Sequence, residues 1–297
     1  MKILVIQNRM GIGDMVIFLP FIEAISKKFN SPVSILVKEN SKALEYLEKN
    51  KYIEKIIILQ RDNNRSRHDG ILGTFKLISD LKKYNFQKVF VFNSSLRFRL
   101  ICKMAGIKKI FQYPLFQKKK QHLIKTAKSF IKKELDMDID SNPIIKLESS
   151  LIENTKKKYN INSKQINILL GIGGSGPTKR IPAYKFLNFM EMSVNEYDCK
   201  FFLATGINQQ EQNILNEILN SEFKERCVPL DKIKIKETLP IIKNCTIAIC
   251  NDSSFSHLSA ALDVPTIVLL SDTPLMYGSY SPKMYPIIPD GEKTVTH

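Results

Sequence analysis

Short apolar runs alternate with segments of helical periodicity along the whole chain, and this alternation constrains the fold more than any other sequence feature. Five apolar runs typical of buried strands lie in residues 1–150, and four lie in residues 151–297. Strands that alternate with helices predict a parallel sheet covered on both faces. We therefore expect an α/β protein with two doubly wound, Rossmann-like domains, 1–150 and 151–297, whose join lies within 136–165.

The predicted elements follow one another in regular order. Strands are predicted at 3–6, 33–37, 56–59, 89–92 and 110–113, and then at 166–170, 200–204, 246–250 and 266–270. Helices are predicted over 15–29, 41–49, 71–84, 96–105, 149–159, 183–194, 208–220, 236–243 and 254–262. Two such domains facing each other across a cleft would place a ligand site at the carboxyl ends of their strands.

Basic residues are concentrated in the first half of the chain. Of the net charge of +16, residues 1–150 contribute 29 Lys and Arg against 14 Asp and Glu, whereas residues 151–297 hold 16 against 15. This split suggests that the first half faces a polyanion, either nucleic acid, an anionic membrane or a phosphorylated substrate. Segment 118–135 predicts a basic amphipathic helix, which is either a solvated surface helix or a membrane contact. Arginines that could grip acidic groups are Arg61, Arg65, Arg67, Arg97 and Arg99.

Several classes of protein are disfavoured by the composition. No apolar run approaches the roughly 20 residues of a membrane-spanning helix, and no leader sequence precedes the first predicted strand, so we expect a cytoplasmic protein. The five cysteines have neither zinc nor redox spacing, so no metal site or disulfide framework is expected. The chain ends without a final predicted helix, which suggests a short or trimmed C-terminus.

The loop after the first predicted strand is the first candidate site. Gly11 and Gly13 permit a tight turn. Asp14 then stands where a helix is predicted to begin, at about Met15, and it suits either the N-cap of that helix or a general base. The glycine pair is also a weak dinucleotide signal, but the third glycine is replaced by Val16, which disfavours a nicotinamide dehydrogenase.

A glycine-rich loop after the predicted strand 166–170 is the second candidate site. Four glycines within six positions allow backbone amides to approach an anion. Ser175 and Thr178 add hydroxyl donors, and Lys179 adds a positive charge. The loop therefore suits a phosphate cradle, with a flexible loop as the alternative. It is not a P-loop, because no Gly-Lys-Ser/Thr follows at the required spacing.

The third candidate site follows the predicted strand 246–250. Ser253 and Ser254 could cap the next helix, whose free amides would stabilise a diphosphate leaving group as its charge develops. Asp252 precedes them. His257 falls one turn into that helix, where it either faces a ligand or packs in the core.

The three segments together resemble the lipopolysaccharide heptosyltransferases of glycosyltransferase family 9. The family's Gly-Asp before an apolar helix with a proline matches residues 13–20, its Lys-Arg-x-Pro matches 179–182, and its Asp-x-Gly-x-x-His with an alanine-rich turn matches 252–262. Two departures concern the donor side. Ser254 replaces the usual glycine of the third motif, and Asp272 lies where the family has Gly-Pro-Thr.

The resemblance implies a GT-B fold with the acceptor on the first domain and the nucleotide sugar mainly on the second. It implies an inverting, metal-independent transfer without a cofactor, from ADP-heptose to an anionic lipopolysaccharide precursor at the inner face of the cytoplasmic membrane, with Asp14 as the base. The donor residues would be Ser175, Thr178, Lys179, Asp252, Ser253, Ser254 and His257, with Glu211 near the nucleoside. The acceptor residues would be Gly13, Arg61, Arg65, Arg67 and Arg97.

Two alternatives to this function differ in kind. Within the family, the chain could use a different nucleotide sugar or an acceptor other than lipopolysaccharide. Outside it, the charge alone would suit a non-catalytic protein that binds polyanions or anionic lipid, and such binding would be sensitive to salt. No recognised nucleic-acid motif is present, so no nucleic-acid partner is expected.

Overall fold

The computed structural model describes residues 1–9, 11–61, 66–115, 122–271 and 273–289. The chain divides into two compact units, Met1–Ser141 and Asn142–His297, called here the first and the second unit. This division lies within the predicted join of 136–165 and ahead of the predicted boundary at residue 150.

The first unit contains a five-stranded parallel sheet in the order β3-β2-β1-β4-β5. Its strands are β1 (Ile3–Ile6), β2 (Val33–Lys38), β3 (Ile53–Leu59), β4 (Lys88–Val91) and β5 (Lys109–Gln112). Its helices are α1 (Ile12–Lys28), α2 (Ala43–Tyr46), α3 (Gly70–Lys82), α4 (Leu96–Met104) and α5 (Leu123–Leu135). The chain runs outward from β1 in one direction and then from β4 in the other, so the topological switch point lies between these two strands.

The two faces of this sheet are covered by different helices. Side chains alternate along β4, so that Val89 and Val91 join the core beneath α3 and α4. Phe90 and the following Phe92 point to the opposite face, where they contact Phe130 of α5. Burial on both faces explains why these strands are continuous apolar runs in the sequence.

The second unit contains a six-stranded parallel sheet in the order β11-β10-β9-β6-β7-β8, with its switch point between β6 and β9. Its strands are β6 (Ile166–Gly171), β7 (Cys199–Ala204), β8 (Cys227–Pro229), β9 (Ile247–Asn251), β10 (Thr266–Leu269) and β11 (Met284–Ile287). Its helices are α6 (Ser149–Lys158), α7 (Ala183–Glu196), α8 (Gln209–Leu219), α9 (Ile235–Lys243) and α10 (Ser254–Ala261).

Two strands and one helix differ from the sequence-based prediction. β8 and β11 were not predicted because they are short edge strands that contain proline, at Pro229 and Pro286, and proline is tolerated in a sheet mainly at its edges. The predicted helix 41–49 is wrong. A 3₁₀ turn, Glu39–Ser41, and the single helical turn α2 replace it, because Lys42 between them adopts a left-handed conformation with φ 51°.

The predicted amphipathic helix 118–135 is present as α5, but it begins at Leu123. Residues 118–121 lie outside the described part of the chain. The imidazole of His122 caps α5 by accepting a hydrogen bond from the amide of Lys125 at 3.3 Å. The apolar side of α5 is buried within the first unit, where Phe130 lies 5.0 Å from the ring of Tyr113. This side of α5 therefore does not face a bilayer.

Candidate functional site

The loop after β1 places Asp14 inside the first turn of α1. The helix begins at Ile12, and Gly11 occupies the N-cap position with φ 98°, a backbone conformation that favours glycine. The predicted helix start at Met15 and the N-cap interpretation of Asp14 are therefore wrong. The Asp14 carboxylate instead accepts a hydrogen bond from Nε of Arg9 at 2.9 Å. A carboxylate in the first turn is also favoured by the positive end of the helix dipole.

The switch point of the first sheet lies beside this loop. Asn8 follows β1 and Asn93 follows β4, and Asn93 Nδ2 donates a hydrogen bond to Asn8 Oδ1 at 3.0 Å. The ends of β1 and β4 are thus joined where ligands of doubly wound sheets commonly bind. Gly13 and Asp14 lie in the helical turn that leads away from the same strand end.

The predicted acceptor arginines that the structure describes contact other groups of the first unit. Arg67 donates two hydrogen bonds to Asp80, at 2.9 and 3.0 Å. Arg97 donates to the carbonyl of His68 at 2.8 Å. Arg61 lies 3.8 Å from a carboxylate oxygen of Asp69, and Arg65 lies outside the described residues. Arg67 and Arg97 therefore anchor α3 and the segment before it.

The carboxylate of Asp80 is held ionised by its neighbours. Burial alone would raise its pKa, but hydrogen bonds from Lys83, Arg67 and His68 outweigh that effect and lower the pKa to about 2. This arrangement is a local structural anchor.

The glycine-rich loop after β6 is closely packed. A Cβ at Gly171 would lie 2.6 Å from Sγ of Cys250, and a Cβ at Gly173 would lie 2.6 Å from Oε1 of Glu211. A Cβ at Gly174 would lie 2.7 Å from the carbonyl oxygen of Lys179. The glycines are thus needed for the close approach of this loop to its neighbours, which argues against the flexible-loop alternative.

Glu211 is buried beneath this loop and fixes it. Its Oε1 accepts a hydrogen bond from the amide of Gly174 at 2.7 Å, and its Oε2 accepts one from the side chain of Asn208. Asn208 also caps α8 by accepting a hydrogen bond from the Glu211 amide at 3.0 Å. The Glu211 carboxylate is therefore committed to positioning the loop, whatever contact the loop makes with a ligand.

Lys179 and Asp252 meet at the switch point of the second sheet. Lys179 follows β6 and Asp252 follows β9, the two neighbouring strands between which the chain direction switches. Lys179 Nζ lies 2.5 Å from Asp252 Oδ2, and Thr273 Oγ1 donates to the same oxygen at 2.6 Å. Asp252 is buried, whereas Lys179 is partly exposed. A buried carboxylate is thus held beneath an ammonium group that reaches the surface.

The start of α10 stands beside this pair. Ser253 is at the N-cap position and Ser254 is the first helical residue. The prediction that a serine side chain caps the helix is wrong, because Ser253 Oγ has no hydrogen-bond partner within the described part of the chain. Ser175 is exposed in the glycine-rich loop, and the carbonyl of Thr178 accepts a hydrogen bond from Ser271 at 2.7 Å.

His257 is buried in α10 and packs against Tyr280. Its Nδ1 lies 2.8 Å from the hydroxyl of Tyr280, and the two rings are stacked. Burial lowers the pKa of His257 well below its ordinary value of 6.5, and the nearby Asp252 only partly opposes this effect. His257 therefore packs against Tyr280 in the second unit, and its role in donor binding stays a prediction.

Three residues of this site were not predicted from the sequence. Tyr280 comes from a loop without a motif, and Thr273 belongs to the segment that departs from the family's Gly-Pro-Thr. Only the fold brings the two residues to α10 and Asp252. Arg180 donates to the carbonyl of Gly174 at 3.0 Å, and its position next to Lys179 in the second motif was the available signal.

Two α/β units with parallel sheets, carrying a glycine-rich loop and a Lys–Asp pair at strand ends, are the architecture of the GT-B fold. The model of glycosyltransferase family 9 (heptosyltransferase) matches residues 74–289, which is most of the chain. The chain therefore belongs to this family, and the family and GT-B fold predicted from the sequence are confirmed.

Known relatives agree with this assignment. Lipopolysaccharide heptosyltransferase 1 of Campylobacter coli is 22% identical, over 99% of this chain and 90% of that protein. Lipooligosaccharide heptosyltransferase 2 of Haemophilus influenzae is 30% identical over 116 residues, which cover 39% of this chain but only 32% of that protein. The structure of E. coli ADP-heptose LPS heptosyltransferase II superposes with a TM-score of 0.75 at 18% identity, over 97% of this chain and 90% of that one.

Proposed function

We propose that this chain transfers a heptose from ADP-heptose to an anionic precursor of the lipopolysaccharide inner core. The observation that carries the proposal is the Lys179–Asp252 pair at the switch point of the second sheet. The ammonium group of this pair is partly exposed. The pair lies between the loop of closely packed glycines and the start of α10 in the sequence order of the second unit's strand ends. The proposed donor and acceptor are taken from the names of the C. coli and E. coli relatives, which specify ADP-heptose and lipopolysaccharide.

The second unit provides the groups that a nucleoside diphosphate leaving group needs. The ammonium of Lys179 has three donors, of which one is directed at Asp252. The amides at the start of α10 add partial positive charge. Both stabilise the negative charge that grows on the diphosphate as the glycosidic bond breaks. Asp252 and Thr273 orient the lysine, and the proposal needs no metal ion.

Asp14 is the proposed base. The acceptor hydroxyl oxygen forms a bond to the anomeric carbon of the heptose while ADP leaves with the electron pair of the broken bond. The hydroxyl proton passes to the Asp14 carboxylate, which the guanidinium of Arg9 holds in place. Attack opposite to the leaving group inverts the anomeric configuration. The acceptor binds the basic first half of the chain, at the inner face of the cytoplasmic membrane.

A family 9 transferase that uses another nucleotide sugar is the second candidate. It is favoured by Ser254, whose side chain occupies the first position of α10, where the resemblance to the family leads us to expect glycine. This difference concerns which donor fits and leaves the type of reaction unchanged.

Thermal unfolding with candidate donors tests the proposal. We expect ADP-heptose, but not UDP-glucose, GDP-mannose or NAD, to raise the melting temperature, since a ligand of the folded state stabilises it. Asp14→Asn should keep this shift and lose turnover by about 10²–10⁴-fold, as expected for a lost general base. Lys179→Ala should lose the shift.

Two further results complete the test. Because Lys179→Ala leaves the buried Asp252 carboxylate unpaired, the double variant Lys179→Met, Asp252→Asn controls for loss of folding. A shift with a different nucleotide sugar would overturn ADP-heptose as donor. A well-folded protein without any shift would overturn the transferase proposal.

A further inference from the structure

An exposed apolar surface covers the outer side of two neighbouring helices in the first unit. Six large apolar side chains project there, and Ile71 and Leu72 are each 77% exposed while Phe75 is 54% exposed. Monomeric soluble proteins rarely expose large contiguous apolar patches without an interaction to explain them. The residues of this α3–α4 surface are Ile71, Leu72, Phe75, Leu96, Leu100 and Met104.

These side chains are not needed for the core of the first unit. α3 and α4 already bury a different side against the sheet, for example Leu77 and Ile101. The two helices lie side by side, since Arg97 of α4 donates to the hydroxyl of Thr74 of α3 at 3.2 Å. A helix on the surface of a globular protein is normally polar on its outer side. Each of these helices instead carries a second apolar side.

The charge of this surface is positive. Lys76, Arg99 and Lys103 are exposed among the apolar residues of the two helices. Asp80 is the acidic residue in the sequence of α3 and α4, and it is paired with Arg67 and with Lys83. The surface therefore combines apolar side chains with basic residues, the composition that suits an anionic lipid surface.

The basic helix α5 does not offer the same combination. Its lysines are accompanied by apolar residues that are buried in the first unit. It can attract anionic headgroups but cannot insert apolar side chains among them.

We infer that the α3–α4 surface is the membrane-docking surface of this protein. Its apolar side chains enter the boundary between headgroups and acyl chains, and Lys76, Arg99 and Lys103 contact anionic headgroups. The inference deepens the proposed function, since a glycolipid acceptor requires the enzyme to work at a bilayer. Vesicle binding is measured without any sugar nucleotide, so the two proposals fail separately.

The absence of tryptophan from the sequence allows a direct test with the full-length chain. Phe75→Trp introduces a single tryptophan on the α3–α4 surface, and Met192→Trp introduces one at a 71% exposed position of α7. With vesicles of equal parts phosphatidylcholine and phosphatidylglycerol, the tryptophan at position 75 should shift to shorter wavelength and be quenched by brominated acyl chains. The one at position 192 should do neither.

Co-sedimentation with the same vesicles measures how strongly each variant binds them. The double variant Leu72→Ser, Phe75→Ser should weaken vesicle binding at least about tenfold, because two apolar side chains no longer leave water. Met192→Ser should bind as the unchanged protein does. Equal binding by both variants, or quenching at position 192 alone, would overturn the inference. So would a dimer in light scattering that the double variant abolishes without an effect on vesicle binding.

Discussion

At the scale of single residues, Gly173 is a position of the second unit that leaves too little space for a side chain. Its Cβ would lie 2.6 Å from Oε1 of Glu211 and 3.1 Å from Oγ1 of Thr205, both buried. We expect Gly173→Ala to lower the free energy of unfolding by about 1–3 kcal/mol, the usual cost of overpacking. Gly176→Ala is the control. A Cβ at Gly176, in the same loop, would lie 3.9 Å from its nearest neighbour, so this variant should change the free energy of unfolding little. Urea denaturation of both variants measures the difference, and equal stabilities would contradict the packed loop.

His257 makes the stability of the second unit depend on pH. Burial lowers its pKa in the folded state, whereas an unfolded chain titrates near 6.5. The folded state therefore binds fewer protons, and the contribution of His257 to stability is lost as the pH falls below about 6.5. We expect the free energy of unfolding to decrease between about pH 7 and pH 5 less steeply in His257→Gln than in the unchanged protein. Urea denaturation at each pH measures this free energy. If it fell equally with pH in both proteins, His257 would be protonated equally in the folded and unfolded states.

The sequence predicts the charged residues of the site better than their partners. Lys179 and Asp252 belong to motifs whose spacing is local, so their place at strand ends follows from the strand prediction. The contacts of Asp252 with Thr273 and of His257 with Tyr280 join segments that only folding brings together. The hydrogen bond from Arg67 to Asp80 likewise joins residues that only folding brings together.

At the scale of elements, periodicity predicts helices and central strands but not what each face contacts. α5 and α3 both have apolar and basic residues, yet the apolar side of α5 is buried while α3 exposes Ile71 and Leu72. A hydrophobic pattern alone does not tell a second apolar face from a core face. The edge strands β8 and β11 have too few buried residues to give a pattern at all.

At the scale of the whole molecule, the alternation of strands and helices predicts two parallel sheets, but not their strand orders. Pairing of β6 with β9 and of β1 with β4 joins segments that are far apart in the sequence. These two pairings create both switch points, and each candidate site lies at one of them. Local sequence patterns therefore supply the parts, and nonlocal pairing decides where the chemistry is placed.

The division into two units gives a prediction for donor binding. The glycine-rich loop, the Lys179–Asp252 pair and α10 all belong to the second unit, whereas Asp14 belongs to the first. We expect ADP to slow amide hydrogen exchange in residues 171–180 and 252–257, because ligand binding suppresses local opening of the segments it contacts. The loop before Asp14 should exchange at an unchanged rate with ADP alone. Protection confined to the first unit would place the nucleotide there and exchange the proposed roles of the two units.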